Sequence, residues 1–424
     1  MPCDWSIRAP VPADLDAVTA IRPGGEVPAR DVGIDPDAVA YVWDAVRRLY
    51  RSGIHPAIQV CVRHRGAVVL DRAIGFAHGA GPGDPPDAPR VACTPDTPFV
   101  TLSASKAVTA MLVHLLDERN LLRLDDPVCE YVPEFGCGGK EWITIRHVLI
   151  HRAGIPNLSR DVMQLDTLAK PGEVLRLLCD VRPTWRPGRQ LAYHAITGGF
   201  VLGEVIRRVI GDDPRALLDE AIRRPLGARW LSYGVAPDDV AAVATNYLTG
   251  PPLVPPFAQL VARALGVGFA EAVDISNDPR FLTAVVPAAN VVATAHDLSA
   301  FYECLLEGGR AGALELFDPR TVRRATAEQS YLEFDFTLGL PFRYGMGFML
   351  GAEWFSLYGP YTRLAYGHVG FTNIVAWADP ERRIAAAIMT SGKPTLYPEL
   401  YWLFEVLRRI GLLAPRARPS RDFR

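Results

Sequence analysis

Strand-like sequence in this chain is confined to its two ends, and that distribution most constrains what it can fold into. Near the start, residues 57–64 and 67–74 are apolar, β-rich runs joined by Arg65-Gly66, a hairpin signal. Near the end, residues 344–350, 364–368, 373–378 and 384–390 have the same character, with Asp379-Pro380-Glu381-Arg382 turning between the last two. The long interval between them carries helical spacing and loops, with helices expected at 144–151, 173–180, 196–211, 214–223, 257–266 and 295–308. The expectation is an α/β (α+β) fold: one antiparallel sheet built from both ends of the chain, flanked by helices, beside an all-helical lobe.

The corresponding spans are an N-terminal extension at 1–34, a discontinuous sheet lobe at 35–120 and 336–412, a helical lobe at 121–335, and a basic tail at 413–424. Asp35 to Arg51 carries apolar residues at helical spacing, and residues 396–412 form a last apolar-faced helix. The two lobes leave a cleft between them. The segment from Phe99 to Leu116 enters the helical lobe directly from the first half of the sheet, so its N-terminal end is expected beside that cleft. Thr101 is a candidate N-cap for this buried helix, with Thr97 and Pro98 an earlier alternative.

The bulk numbers exclude several classes. A chain of 424 residues can bury a large core. A net charge of −2 gives no reason to expect nucleic acid or an anionic membrane as partner. Seven scattered cysteines include no Cys-x-x-Cys, so neither a disulfide framework nor a zinc knuckle is expected, and a reducing compartment fits. No basic stretch followed by an apolar run opens the chain, and no apolar run is long enough to span a bilayer, so the expected location is cytoplasmic. The oligomeric state is left open.

Within this frame the rarest residue is the most informative. Only four of the 45 basic residues are lysines: Lys106, Lys140, Lys170 and Lys393. Lys106 sits in the apolar helix, three residues after Ser103, in Ser103-Ala104-Ser105-Lys106. Arginine stays protonated, whereas a buried lysine can lose its proton and act as a base. Residues three apart share a helix face, so the Lys106 amine can reach the Ser103 hydroxyl and activate it as a nucleophile. Ser105 is adjacent to the lysine and points to another face.

Two further stretches carry chemistry. Tyr193-His194-Ala195 lies at a loop-to-helix junction. A phenol beside a cationic lysine can have its pKa lowered and serve as general base, or Tyr193 can be a half-buried packing residue. His194 reads as structural before it reads as a substrate contact. Gly367-His368-Val369-Gly370-Phe371 ends a strand, where glycine lets a ligand approach the backbone. There the Phe371 N–H can pair with that of Ser103 to hold an oxyanion, while His368 either binds substrate or caps the strand.

These residues, in this order, resemble the serine β-lactamase and penicillin-binding-protein superfamily, whose Ser-x-x-Lys motif they reproduce. Among its branches they are most similar to the class C-like one that includes family VIII carboxylesterases. Further similar stretches are 121–127, 143–156, 202–206, 287–298 and 344–348, and the likeness covers about 35–412. The resemblance implies a β-lactamase/transpeptidase-like fold, acylation of Ser103 during turnover, Lys106 and Tyr193 as the proton-handling pair, and no metal or organic cofactor.

The departures bear on substrate. Penicillin-recognising members usually have Tyr-x-Asn, and here the third position is Ala195. Their later motif usually begins with lysine, and here it is His368, mostly neutral near pH 7. Both point to a small-molecule ester whose recognition needs no carboxylate. The expected function is a carboxylesterase or lipase-type serine hydrolase. An acyltransferase, a β-lactamase or D,D-peptidase-like amidase, and a binding protein that has lost the chemistry are the alternatives. The chain holds no Gly-x-Ser-x-Gly, which argues against an α/β-hydrolase.

Overall fold

Arg65 and Gly66 both take positive φ, 50° and 84°, and close the first hairpin as a two-residue turn matched to strand twist. The computed structural model describes residues 6–157, 164–168, 170–371, 373–395 and 397–417. Positions 1–5 of the expected lead-in and 418–424 of the basic tail lie outside the described residues.

In chain order the principal elements begin with β1 (Thr19–Ile21), α1 (Pro36–Arg51), β2 (Ala57–His64), β3 (Ala67–His78), α2 (Ser105–Glu118) and α3 (Thr197–Ile210). The middle of the chain adds α4 (Phe257–Leu265), α5 (Phe269–Ile275) and α6 (Ala295–Leu306). The end returns to strands: β4 (Ser330–Asp335), β5 (Leu340–Tyr344), β6 (Met349–Leu350), β7 (Tyr366–Gly370), β8 (Ile374–Asp379) and β9 (Ile384–Thr390), followed by α7 (Leu400–Gly411).

One antiparallel sheet runs β1-β3-β2-β9-β8-β7-β6-β5-β4, with the short strand Val91–Ala92 also paired to β3. The two ends of the chain meet where β2 pairs with β9, Val60 opposite Ile388. The central strands are buried on both faces, so they read as continuous apolar runs rather than alternating ones. Ile58, Val60, Trp377 and Ile388 face a core closed by α1 and α7. Ala57, Cys61, Ala385 and Ala387 face the other way, and their small side chains admit α6 close to the strands. Asp35 caps α1 by accepting from the Asp37 N–H at 3.0 Å, with Pro36 at the first helical position.

Several expectations need correction. β4 and β5 extend the sheet, although residues up to 335 read as helices and loops and 340–343 carried no strand signal. The reason is local: β4 is an edge strand with a bulge between Ser330 and Glu333 and a left-handed Leu332 at φ 45°, so its period of two is broken. β1, within the expected N-terminal extension, pairs with β3. Helix α6, within the span read as helical lobe, packs on β2, β8 and β9. Helices α5, Pro279–Thr283 and Pro319–Thr326 escape a reading from sequence, because at 7, 5 and 8 residues each is too short for a window of helical spacing.

Three of the four lysines are buried: Lys106, Lys140 and Lys393. Lys140 donates to the carbonyls of Cys179 and Val181, both at 2.7 Å, and ties two loops together. Lys393 donates to the Thr390 carbonyl, and burial pulls its amine down to about 7. An unfolded lysine titrates near its ordinary value of about 10.4. Between the two values the unfolded chain binds the extra proton, so stability rises with pH, by up to about 1.4 kcal/mol per unit, and is lost again toward pH 7. Lys393→Met is expected to flatten this slope in urea midpoints taken from pH 7 to 10; parallel curves for the two proteins would contradict it.

Candidate active site

The chain reaches the site through two short elements. Phe99–Val100 pairs with Val291–Ala293, and Leu102–Ala104 forms one 3-10 turn that runs straight into α2 at Ser105. Neither Thr97 nor Thr101 caps this helix. The Thr101 hydroxyl instead bonds the Ser105 hydroxyl at 2.9 Å, and Ser105 accepts from the Val291 N–H at 2.9 Å. Ser105 is thereby a buried tie to the neighbouring strand and takes no part in the site. Leu102, directly before Ser103, is left-handed at φ 50°, a conformation that costs a non-glycine residue about 1–3 kcal/mol and persists only where packing enforces it.

That packing comes from β7. A Cβ added at Gly370 would lie 2.2 Å from the Thr101 carbonyl oxygen, so only glycine lets the end of β7 sit against the turn that carries Ser103. The next residue, Phe371, is itself left-handed at φ 46° and lines the cavity that holds Ser103.

Lys106 Nζ lies 3.0 Å from Ser103 Oγ and 3.0 Å from the Ala288 carbonyl oxygen. Burial holds its amine well below the ordinary lysine range. Nζ donates to both oxygens, and a neutral amine at this place can take the serine proton instead. Tyr193 bonds the Ser103 hydroxyl from the other side, with its ring 4.9 Å from Lys106 Nζ. Its phenol is pushed upward by burial, which outweighs the Ser103 hydrogen bond. The expected lowering by a cationic lysine does not outweigh this, because burial disfavours the charged forms of both groups.

Asp335, at the end of β4, positions Tyr193. Its Oδ1 accepts from the N–H groups of Tyr193 at 3.0 Å, Thr337 at 2.8 Å and Leu338 at 3.0 Å, while Oδ2 accepts from the Tyr344 hydroxyl at 3.0 Å. Sequence reasoning missed this residue; the one available signal was an aspartate whose carboxylate can accept from the N–H two residues on. It also missed His151, whose ring packs 4.7 Å from Tyr193 and 5.0 Å from Tyr344.

The two other histidines diverge. His368 comes within 6.2 Å of the Tyr193 ring, centroid to centroid, and its Nδ1 lies 2.9 Å from the Val369 carbonyl. Burial, reinforced by the neighbouring Lys106, pulls it down to about 3, so it stays neutral. His194 is fully buried; its Nε2 accepts from the Ile155 N–H at 3.3 Å and its ring stacks on His151. Neither histidine lines the cavity that holds Ser103.

That cavity has a volume of about 430 Å³ and is lined by Ser103, Tyr193, Ala195, Phe269, Phe371 and a run of aliphatic side chains. Among the described residues, its lining includes no acid, arginine, lysine or histidine. One group elsewhere has metal-ligand character: the ligand atoms of Cys61, Asp71 and His296 lie within 4.8 Å of one another. Arg22 already donates to Asp71 Oδ2 at 2.5 Å, and Arg63 NH2 lies 3.0 Å from His296 Nε2, so two guanidinium groups hold those ligand atoms. No helix among the described residues is long and apolar enough to cross a membrane.

Comparison with known proteins agrees with this geometry. The family model described as Beta-lactamase matches residues 44–404. The esterase/beta-lactamase LipL of Mycobacterium tuberculosis is 30% identical over 343 residues, covering 76% of this chain and 74% of that protein. A penicillin-binding protein homologue from Caulobacter crescentus superposes with TM-score 0.76 at 26% identity, covering 90% of this chain and 98% of its own. A family VIII carboxylesterase superposes with TM-score 0.75 at 26% identity, covering 89% and 99%.

Proposed function

This chain belongs to the beta-lactamase family, and from that premise we propose that it is a serine carboxylesterase working through an acyl-enzyme on Ser103. The observation that carries the reading is Ser103, with a buried amine 3.0 Å from its hydroxyl, opening into a cavity whose lining is uncharged among the described residues. Lys106 takes the Ser103 proton as Oγ attacks the ester carbonyl. The N–H groups of Ser103 and Phe371 hold the oxyanion. Tyr193, a neutral phenol, gives its proton to the departing alkoxide and is reprotonated from Lys106. Water then attacks the acyl-enzyme by the reverse path.

Ester rather than β-lactam substrates are supported by what the cavity lacks. A β-lactam carboxylate needs a cation, and here His368 is neutral, Ala195 offers no amide, and the described cavity-lining residues include no basic side chain. LipL, by its name an esterase as well as a β-lactamase, and the family VIII carboxylesterase are in keeping with this. The test is intact-mass analysis after a fluorophosphonate probe, together with turnover of p-nitrophenyl esters. One adduct on the wild type, absent in Ser103→Ala, is expected; an unlabelled wild type would sink the reading.

The active form needs Lys106 deprotonated, so kcat/KM is expected to fall as pH drops through the folded-state value of Lys106, well below the ordinary lysine range. The raised Tyr193 phenol adds no opposing limb near neutrality. A profile with no acid limb at any pH where the enzyme stays folded would rule out Lys106 as the base.

A further inference from the structure

The cavity that holds Ser103 is larger than a short acyl group requires, and much of its wall comes from a part of the chain that the chemistry does not use. At about 430 Å³ it is nearly three times the ~150 Å³ apolar cavity that accepts benzene, which leaves room for roughly fifteen carbon atoms. One end is Ser103, Tyr193, Ala195 and Phe371. Farther along lie Val369 and Val375, directly opposed across β7 and β8.

Side chains alternate along a strand, so these two valines face away from His368, Gly370, Ile374 and Ala376. Val375 belongs to the core closed by α1 and α7, whereas Ile374 and Ala376 belong to the core on the other face. Helix α7 contributes Leu400, Leu403 and Leu407, a single stripe at i, i+3 and i+7. The cavity thus crosses the end of the sheet: it starts beside Ser103, bends around the Phe371 turn, and continues beneath α7. Leu340 and Phe404 line it and are also half exposed, marking where it opens to solvent.

Resting on the esterase reading, we infer that the acyl group of the substrate is a long unbranched alkyl chain, threaded from Ser103 past Phe371 to the leucine stripe of α7. A rigid ring system cannot follow the bend, and a chain with a charged end would meet no counter-charge among the described lining residues. A polymethylene chain satisfies both conditions.

Wild type, Leu400→Trp, Leu407→Trp and Tyr401→Trp are to be assayed with p-nitrophenyl esters from acetyl to hexadecanoyl. Calorimetry is to measure methyl hexanoate and methyl decanoate binding to Ser103→Ala, alone and combined with Leu400→Trp. Wild-type kcat/KM is expected to rise at least tenfold from butanoyl to decanoyl. Leu400→Trp and Leu407→Trp should each cut the decanoyl-to-butanoyl ratio at least tenfold. Tyr401 is exposed and does not line the cavity, so its variant should keep the ratio. Leu407 is buried and its variant can fail to fold; Leu400 is half-buried and carries the test alone in that case. Methyl decanoate should bind Ser103→Ala at least tenfold more tightly than methyl hexanoate, and Leu400→Trp should erase the difference.

Ser103-dependent turnover that is flat or declines beyond butanoyl overturns the channel and leaves the esterase standing. Chain-dependent binding with no ester turnover keeps the channel and removes the proposed reaction. Neither chain-dependent binding nor turnover overturns both.

Discussion

Ser103→Ala is expected to lower ester turnover by about 10⁴-fold or more while leaving the fold intact. The substitution removes one hydroxyl whose partners are Lys106 and Tyr193, and alanine suits a helical turn. The loss is large because the nucleophile and its base act as a unit. Lys106→Met is therefore expected to lose a similar amount, and the double variant Ser103→Ala/Lys106→Met no more than either single one. Steady-state kinetics on the three proteins, with thermal melts as a control on folding, makes the comparison. Retention of a tenth of wild-type turnover by Ser103→Ala would show that another group is the nucleophile. Additive losses in the double variant would show that Lys106 acts on something other than Ser103.

Gly370→Ala is expected to cost about 10²–10³-fold in kcat, the magnitude of losing one oxyanion donor. The added methyl has nowhere to go: its nearest neighbour is a backbone carbonyl at 2.2 Å, that of Thr101, with the Ile374 side chain at 3.2 Å. Either β7 or the Thr101–Leu102 turn must move. Each movement pulls the Phe371 N–H away from Ser103, while the Lys106–Ser103 pair, internal to one helical stretch, survives. Fluorophosphonate labelling of Ser103 should slow in step with kcat. A variant within threefold of wild type in both would show that the two N–H groups do not work together.

The sequence and the structure divide this outcome in an instructive way. The Ser103–Lys106 pair was legible because both members lie three residues apart on one helix, where spacing alone dictates contact. Lysine scarcity sharpened it, and the burial of Lys140 and Lys393 follows the same habit of reserving lysine for enclosed positions. The sheet centre was legible because strands covered on both faces carry uninterrupted apolar runs. Strand β4 was not, since its bulge and exposed edge erase the period on which such reading depends.

Asp335 and His151 stayed hidden for a related reason. Each matters only through residues far away in sequence, Asp335 through Tyr193 and His151 through both Tyr193 and Tyr344. His194 adjoins Tyr193 in sequence, and its Nε2 accepts from the Ile155 N–H.

By itself the sequence determined the fold class, the family and the Ser103–Lys106 pairing, because all of these are written in local pattern, order and spacing. The tertiary structure alone decided the protonation of the site and the shape of its cavity. Burial is a property of everything packed around a group: it lowers the Lys106 amine and raises the Tyr193 phenol, the opposite of the shifts an ammonium and a phenolate would impose on each other. The cavity, likewise, takes its walls from α4, α5, the β4–β5 hairpin and α7, segments that meet only when both ends of the chain close the sheet.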